Sequence, residues 1–319
     1  MNRIAVLTSG GDAPGMNAAV RAVVRKGISN NLEVLGVMRG FSGLINAEFF
    51  PLQLGSVADI IHRGGTILHT ARCPEFLHPE GQEKAVNALQ QENIEGLVVI
   101  GGDGSLKGAQ VLEEANISAV GVPATIDNDI AGTDFCIGFD TAVNTVTDAI
   151  NRLRDTATAH ERIYVMEVMG RESGHIALQA GLAGGAETII VPEVPYDLTE
   201  VCNRLLRGVN RGKLHSIILV AEGAGNALYI GEEIRNLLEM EVRVTILGHL
   251  QRGGTPTAFD RVLGSRLSSN AVDLLHQGKS GFMVGYLQGK IQPLAFAEAL
   301  EEKKAFSWED YRLASVLAI

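Results

Sequence analysis

Two glycine-rich loops hold residues whose types and spacing could do chemistry. Ser9-Gly10-Gly11-Asp12 follows one short apolar run, and Gly101-Gly102-Asp103-Gly104-Ser105 follows another. Where a strand hands over to a helix, missing side chains let backbone N–H groups and a helix N-terminus approach phosphate oxygens. A tight turn that simply needs glycine leaves the same pattern. Neither loop carries the Lys-Ser/Thr pair of a Walker A sequence or the spaced glycines of a dinucleotide fingerprint. Asp103 favours the phosphate reading. A carboxylate among phosphate-cradling glycines calls for a cation between them, and Mg²⁺ fits.

The segment Pro123-Ala124-Thr125-Ile126-Asp127-Asn128-Asp129 also follows an apolar run. Its two carboxylates suit general-base activation of an alcohol beside a nucleotide. Asp and Asn are equally common as caps and turn formers. Cations then gather at strand ends: Arg162 and Arg171 flank one run, Arg243 lies in another, and His249 and Arg252 stand just beyond it. Arginine binds phosphate bidentately, so a phosphorylated small molecule is the natural ligand. Each arginine taken singly reads as well as a solvated or ion-paired surface residue. Glu222 could accept hydrogen bonds from sugar hydroxyls, or cap a helix.

These residues need a scaffold that brings strand ends together. The runs Ile4–Thr8, Glu33–Met38, Gly96–Ile100, Ala119–Val122, Ile163–Val168, Thr188–Val191, Ile217–Ala221, Arg243–Leu247 and Met283–Tyr286 are continuously apolar. That pattern predicts strands buried on both faces of parallel sheets. Between them, Asn17–Lys26, Gly81–Gln91, Ser105–Glu114, Thr141–Thr156 and Phe259–His276 repeat apolar residues at helical steps. The alternation predicts a doubly wound α/β fold, with ligands outside the carboxyl ends of the strands. No linker composition or repeat separates two halves, and the expected division falls near residue 138.

The chain has 319 residues, 46% hydrophobic, long enough for about two domains and too apolar for disorder. Its net charge of −10 argues against nucleic acid as a partner. An anionic substrate must therefore be held by local cations working against the global field. No apolar stretch approaches the ~20 residues that cross a bilayer, and no signal peptide is visible. Cys73, Cys136 and Cys202 lack metal-like spacing, which favours free thiols and a cytoplasmic location.

The motifs LTSGGDAPGMNAA, IGGDGS, PATIDNDI, GFDTA, MGRESG, AEG and GHLQRGG, in this order, resemble the family of bacterial ATP-dependent 6-phosphofructokinases. The resemblance runs from Arg3 to about Ala271. It implies two Rossmann-like parallel-sheet domains with the active site in the cleft between them. Residues 1–138 plus about 251–301 would bind ATP, and residues 139–250 plus about 302–319 the sugar phosphate. The implied reaction moves the γ-phosphoryl group of ATP to the 1-hydroxyl of fructose 6-phosphate, the committed step of glycolysis. Asp127 would be the base and Asp129 its electrostatic neighbour, with Thr125 and Arg171 orienting the transferring group. Gly11, Arg72, Cys73 and Gly102 to Ser105 would hold ATP, and Asp103 its Mg²⁺. Thr125, Ile126, Asp127, Met169, Gly170, Arg171, Glu222, His249, Leu250, Gln251 and Arg252 would hold the sugar phosphate. Arg162 and Arg243 would reach it from a neighbouring subunit of a homotetramer.

The resemblance also implies an effector site, formed by Arg21, Arg25, Arg154, Gly185, Glu187, Arg211, Lys213 and His215. There ADP or GDP would activate and phosphoenolpyruvate inhibit. On the residues alone, Arg21 and Arg25 are a solvated i,i+4 pair. Pyrophosphate-dependent relatives resemble GGDDS and PKTIDND, with Asp and Lys where this chain has Gly104 and Ala124, so ATP is the expected donor. Lipid and NAD kinases share a GGDG loop but lack TIDND and GHLQRGG. A sensor that had lost catalysis would lack Asp103, Asp127 or Arg171, and all three are present.

Overall fold

The computed structural model describes residues 1–160, 162–213 and 215–318. Its strands are β1 (Arg3–Ser9), β2 (Glu33–Val37), β3 (Phe49–Pro51), β4 (Gly96–Gly101), β5 (Ala119–Pro123), β6 (Ile163–Val168), β7 (Thr188–Ile190), β8 (Ser216–Ala221), β9 (Val242–Ile246), β10 (Phe282–Leu287) and β11 (Lys290–Ala295). Its helices are α1 (Met16–Ser29), α2 (Gly40–Ile45), α3 (Pro79–Gln91), α4 (Asp103–Glu114), α5 (Phe139–His160), α6 (His175–Gly184), α7 (Leu198–Asn210), α8 (Ala227–Leu238), α9 (Ala258–His276), α10 (Phe296–Glu301) and α11 (Trp308–Leu317). Strands alternate with helices as the apolar runs predict. Among the described residues no helix is long and apolar enough to cross a membrane.

The chain forms two compact units. The first comprises Met1–Thr125, Asp129–Asp140 and Arg252–Lys304. Its seven-stranded sheet runs in the order β11-β10-β5-β4-β1-β2-β3. The five inner strands are parallel. The two edge strands, which the apolar runs do not predict, are antiparallel. A two-residue loop with Gln288 at φ 50° and Gly289 at φ 81° joins β10 to β11. Positive φ at both positions is what a tight hairpin matching strand twist requires, so this connection reverses the chain. Val98 and Val99 in β4 are both fully buried, as expected for a strand covered on both faces. α1 and α9 pack on each other and on β4, and α4 also packs on β4.

The second unit comprises Ile126–Asn128, Thr141–Gln251 and Ala305–Ile319. Its four strands are all parallel, in the order β7-β8-β6-β9. Val165, Ile218 and Val220 meet Leu205 of α7 and Ile230 and Ile234 of α8 in its core.

The chain passes between the units at more points than one break near residue 138. Local hydrogen bonds decide which side each short segment joins. Ser173 Oγ donates to the Asp127 carbonyl, tying residues 126–128 to the second unit. The Lys304 N–H donates to the Asp129 carbonyl, and Lys303 bridges Ile130, tying 303–304 to the first.

Leu97 is fully buried in the core of the seven-stranded sheet. Leu97→Ala is expected to cost about 2–5 kcal/mol through lost transfer energy and a residual cavity. Chemical denaturation should record a lower midpoint with an unchanged slope.

Candidate active site

In the first unit, two loops after parallel strands lie side by side. The chain leaves β1 through Gly10, whose φ of 84° suits glycine. It leaves β4 through Gly101 and Gly102, and Gly102 caps α4 without a side-chain hydrogen bond. A Cβ on Gly101 would stand 2.5 Å from both Ser105 Oγ and the Ser9 carbonyl. One on Gly10 would stand 3.3 Å from Ser105 Oγ, and one on Gly102 3.6 Å from Thr125 Cβ. Gly10, Gly102, Ser105 and Thr125 are therefore neighbours. The space where a Gly104 side chain would stand is open to 4 Å. Asp103, in the first turn of α4, pairs with Lys107 at 2.8 Å.

Arg72 and Cys73 precede a one-turn 3-10 helix, Pro74–Leu77, and half-buried Cys73 packs on the core of the first unit. The Arg252 guanidinium lies against Gly11 and donates to the Asp12 carbonyl at 3.2 Å.

In the second unit the centre is Asp127. Its side chain is 3% exposed, and Oδ2 lies 3.4 Å from Nε of Arg171, which is 64% exposed. Arg171 adopts φ 53°, a conformation that costs a non-glycine residue energy and persists only where its surroundings enforce it. Enforcement comes from Glu222, whose Oε1 accepts from the N–H groups of Gly170 at 3.2 Å and Arg171 at 2.8 Å. Ser173 Oγ donates to the carbonyls of Asp127 and Gly170. Fully buried Gln251 accepts from the Met169 N–H and donates to the Gly248 carbonyl. Hydrogen bonds through Ser173 and Glu222 thus join Asp127, Gly170 and Arg171, and Gln251 holds the adjoining Met169. Ile126 is fully buried, whereas His249 and Leu250 are exposed.

A buried carboxylate beside an arginine in one unit and glycine loops at strand ends in the other are features that phosphoryl-transfer proteins use. A phosphofructokinase family model matches residues 3–275. The chain is 59% identical over 319 residues, all of both chains, to the ATP-dependent 6-phosphofructokinase of Bacillus pumilus. It is 58% identical, again over both full lengths, to that of Halalkalibacterium halodurans. The chain belongs to the phosphofructokinase family. It is therefore an enzyme, a kinase. The phosphofructokinase of Saccharomyces cerevisiae superposes with a TM-score of 0.89 at 34% identity. That match covers 99% of this chain and 47% of the yeast chain, so this chain spans about half of it. A pyrophosphate-dependent phosphofructokinase from Marinobacter aquaeolei, at 21% identity and TM-score 0.86, shares the fold.

Membership of a kinase family implies a divalent metal associated with the nucleotide. Among the described residues no three His, Cys, Asp or Glu side chains cluster as a metal cage. Asp103 is a half-exposed single carboxylate. Mg²⁺ commonly binds through one or two carboxylates, substrate phosphates and retained waters, so this donor set fits it.

The other residues that the resemblance names are placed by their own contacts. Arg162 and Arg243 converge on Glu241, the first through Nε at 2.6 Å, beside edge strand β9. The Arg162 hydrogen bond, with the charges of Arg162 and Arg243, holds the Glu241 carboxyl below its ordinary range, and desolvation opposes this. Arg154 Nη2 donates to the carbonyls of Gly184 and Gly185. Lys213 Nζ meets Oε1 of buried Glu187 at 2.6 Å, and Glu187 Oε2 accepts from the Ile217 N–H. His215 Nδ1 stands 3.3 Å from Thr158 Oγ1. Burial pushes the His215 pKa down from its ordinary 6.5; Glu187 opposes this, while Arg154 and Lys213 reinforce it. Arg211 is exposed at the end of α7, and Arg21 and Arg25 lie on α1.

Sequence reasoning missed Ser173, Lys107 and Glu241. Ser173 sits inside the MGRESG motif, and Lys107 stands four residues beyond Asp103 on one helix, a readable pairing distance. Glu241 carries no such signal, because Arg162 is 79 residues away.

Removing the Glu222 carboxylate should release the Gly170–Arg171 turn. Glu222→Ala is expected to speed amide exchange at both residues and to cost on the order of 1 kcal/mol in stability. Unchanged exchange would place the restraint elsewhere.

Proposed function

We propose that this phosphofructokinase transfers the γ-phosphoryl group of ATP to the 1-hydroxyl of fructose 6-phosphate, giving fructose 1,6-bisphosphate and ADP. The carrying observation is the buried Asp127 carboxylate held beside Arg171 by a network anchored on Glu222 and Ser173. Asp127 accepts the hydroxyl proton as that oxygen attacks the γ-phosphorus. The bond from the γ-phosphorus to the β–γ bridging oxygen breaks, and ADP leaves with that oxygen. Arg171 neutralises charge on the transferring group, and Thr125 orients it. Asp129 adds a second carboxylate close to the base in sequence. Little covalent chemistry is needed, because positioning and charge neutralisation supply most of the acceleration.

ATP is held by Gly11, Arg72, Cys73 and Gly102 to Ser105. Asp103 would hold Mg²⁺, which would supply neutralisation of phosphate charge. The sugar phosphate is held by Thr125, Ile126, Met169, Gly170, Arg171, Glu222, His249, Leu250, Gln251 and Arg252. ATP as donor is supported by the open space at Gly104 and by Ala124, which is fully buried with its N–H donated to the Gly101 carbonyl at 2.9 Å. A lysine at position 124 would have to bury its stem and charge. The enzyme works in glycolysis in the cytoplasm.

The assay is ADP formation from Mg²⁺-ATP and fructose 6-phosphate, with pyrophosphate as competing donor. Turnover is expected with ATP, and Asp127→Ser should lower it by about 10²–10⁴-fold or more. Turnover confined to pyrophosphate, or unchanged in the variant, would refute the assignment.

We also propose that the protein is a homotetramer regulated by ADP or GDP and by phosphoenolpyruvate. Arg21, Arg25, Arg154, Gly185, Glu187, Arg211, Lys213 and His215 form the effector site. The cations around Glu187 support this reading, as does the place of Arg162 and Arg243 beside an edge strand for contact with a neighbouring subunit. The depressed His215 pKa gives a sign for pH dependence. An anion bound beside His215 raises its pKa, so binding takes up a proton. Phosphoenolpyruvate affinity should therefore rise as pH falls from 8 towards 6, and His215→Gln should flatten that dependence. Arg211→Ala with Lys213→Ala should abolish the response to ADP; a double variant still activated by ADP would remove the site.

A further inference from the structure

Adjacent glycines in the loop after β1 meet different demands. Gly10 has φ 84°, a conformation that favours glycine. Gly11 has no positive φ, so its backbone would accept an ordinary L-residue. What its missing side chain allows is an approach. A Cβ on Gly11 would stand 2.3 Å from Nη1, 3.0 Å from Cζ and 3.4 Å from Nη2 of Arg252.

Arg252 is held at both ends. Its Nη1 donates to the Asp12 carbonyl at 3.2 Å. Two residues on, the Gly254 carbonyl passes within 2.4 Å of where a Gly64 Cβ would stand. Gly64 is fixed in turn by Asn17 of α1, whose amide donates to its carbonyl at 3.2 Å. Where the guanidinium stands decides which atoms of an anion it reaches.

We infer that Gly11 is a positioning residue for Arg252: by lacking a side chain, the nucleotide loop seats the guanidinium that binds the sugar phosphate. This rests on the reading of Arg252 given under the proposed function. One contact then serves both substrates, and a change at position 11 is felt in sugar-phosphate affinity even without nucleotide. The atoms a Cβ would displace are the far end of a flexible side chain. Gly11→Ala should therefore move the guanidinium and leave the loop folded.

The test is calorimetric titration of fructose 6-phosphate into the full chain without nucleotide. Gly11→Ala is expected to weaken binding about tenfold, comparable with losing one charge-assisted hydrogen bond. Arg252→Ala should weaken it at least as much, and the double variant no further than Arg252→Ala alone. Unaltered affinity in Gly11→Ala beside a loss in Arg252→Ala overturns the inference. So do losses that multiply in the double variant, because Gly11 would then act independently. Unaltered affinity in Arg252→Ala also overturns it, and there the fault lies in the role given to Arg252. Should Gly11→Ala fail to fold, the Arg252→Ala background clears the space and should restore folding. A double variant that stays unfolded overturns the inference.

Discussion

A buried carboxylate, Asp127, is the constraint on which the second unit turns. Taking an ionised group out of water is costly unless charge and hydrogen bonds replace the lost hydration. Arg171 supplies the charge, yet reaches Asp127 from a backbone conformation that an arginine does not choose alone. The Glu222 carboxylate therefore captures two successive N–H groups, and Ser173 ties the Asp127 and Gly170 carbonyls together. β6 and β8 are hydrogen-bonded neighbours, with Val168 opposite Ala221. The parallel pairing thus delivers Met169–Arg171 and Glu222 to the same sheet end. The topology and the Asp127–Arg171 contact are one problem with one solution.

The same economy governs the other charges. With a net charge of −10, the chain sets several of its cations beside carboxylates: Lys107 at Asp103, Lys213 at Glu187, and Arg162 with Arg243 at Glu241. Exposed pairs contribute at most about 1 kcal/mol, so a polyphosphate or a divalent cation exchanges with them at small cost. Glu187 differs, being buried and also accepting the Ile217 N–H. Any group that separates it from Lys213 must replace those interactions with good geometry.

Most strands were legible because a strand covered on both faces has only one composition available. Ile163–Val168 could be read directly, and the inner strands of the first unit differ only at their ends. The edge strands escaped for the opposite reason. Phe49–Pro51 is too short to carry a pattern, and Lys290–Ala295 is largely exposed and interrupted by Pro293. Among candidate site residues, the legible ones announced themselves by type at a strand end: Asp103 among glycines, Asp127 after an apolar run, Arg171 in a turn. Contacts between segments far apart in sequence left no trace. Glu241 could not be joined to Arg162, nor Arg252 to Gly11, without the register of parallel strands and the packing of loops.

Glycine illustrates why residue type alone underdetermines a site. Gly10 answers to backbone conformation, Gly101 to the crowding of Ser105 and the Ser9 carbonyl, and Gly11 to the approach of a guanidinium. Gly104 answers to none of these, because a side chain there would meet nothing within 4 Å. A glycine the fold itself does not require is best explained by something the fold receives. Ala124 is the complement: its surroundings are filled, and its N–H is spent on the Gly101 carbonyl that ends β4. A larger residue at position 124 would have to be accommodated in a fully buried place, whereas one at position 104 would meet nothing within 4 Å. Under the proposed choice of ATP, the two positions would therefore discriminate by separate physical means, one through the scaffold and one by direct exclusion.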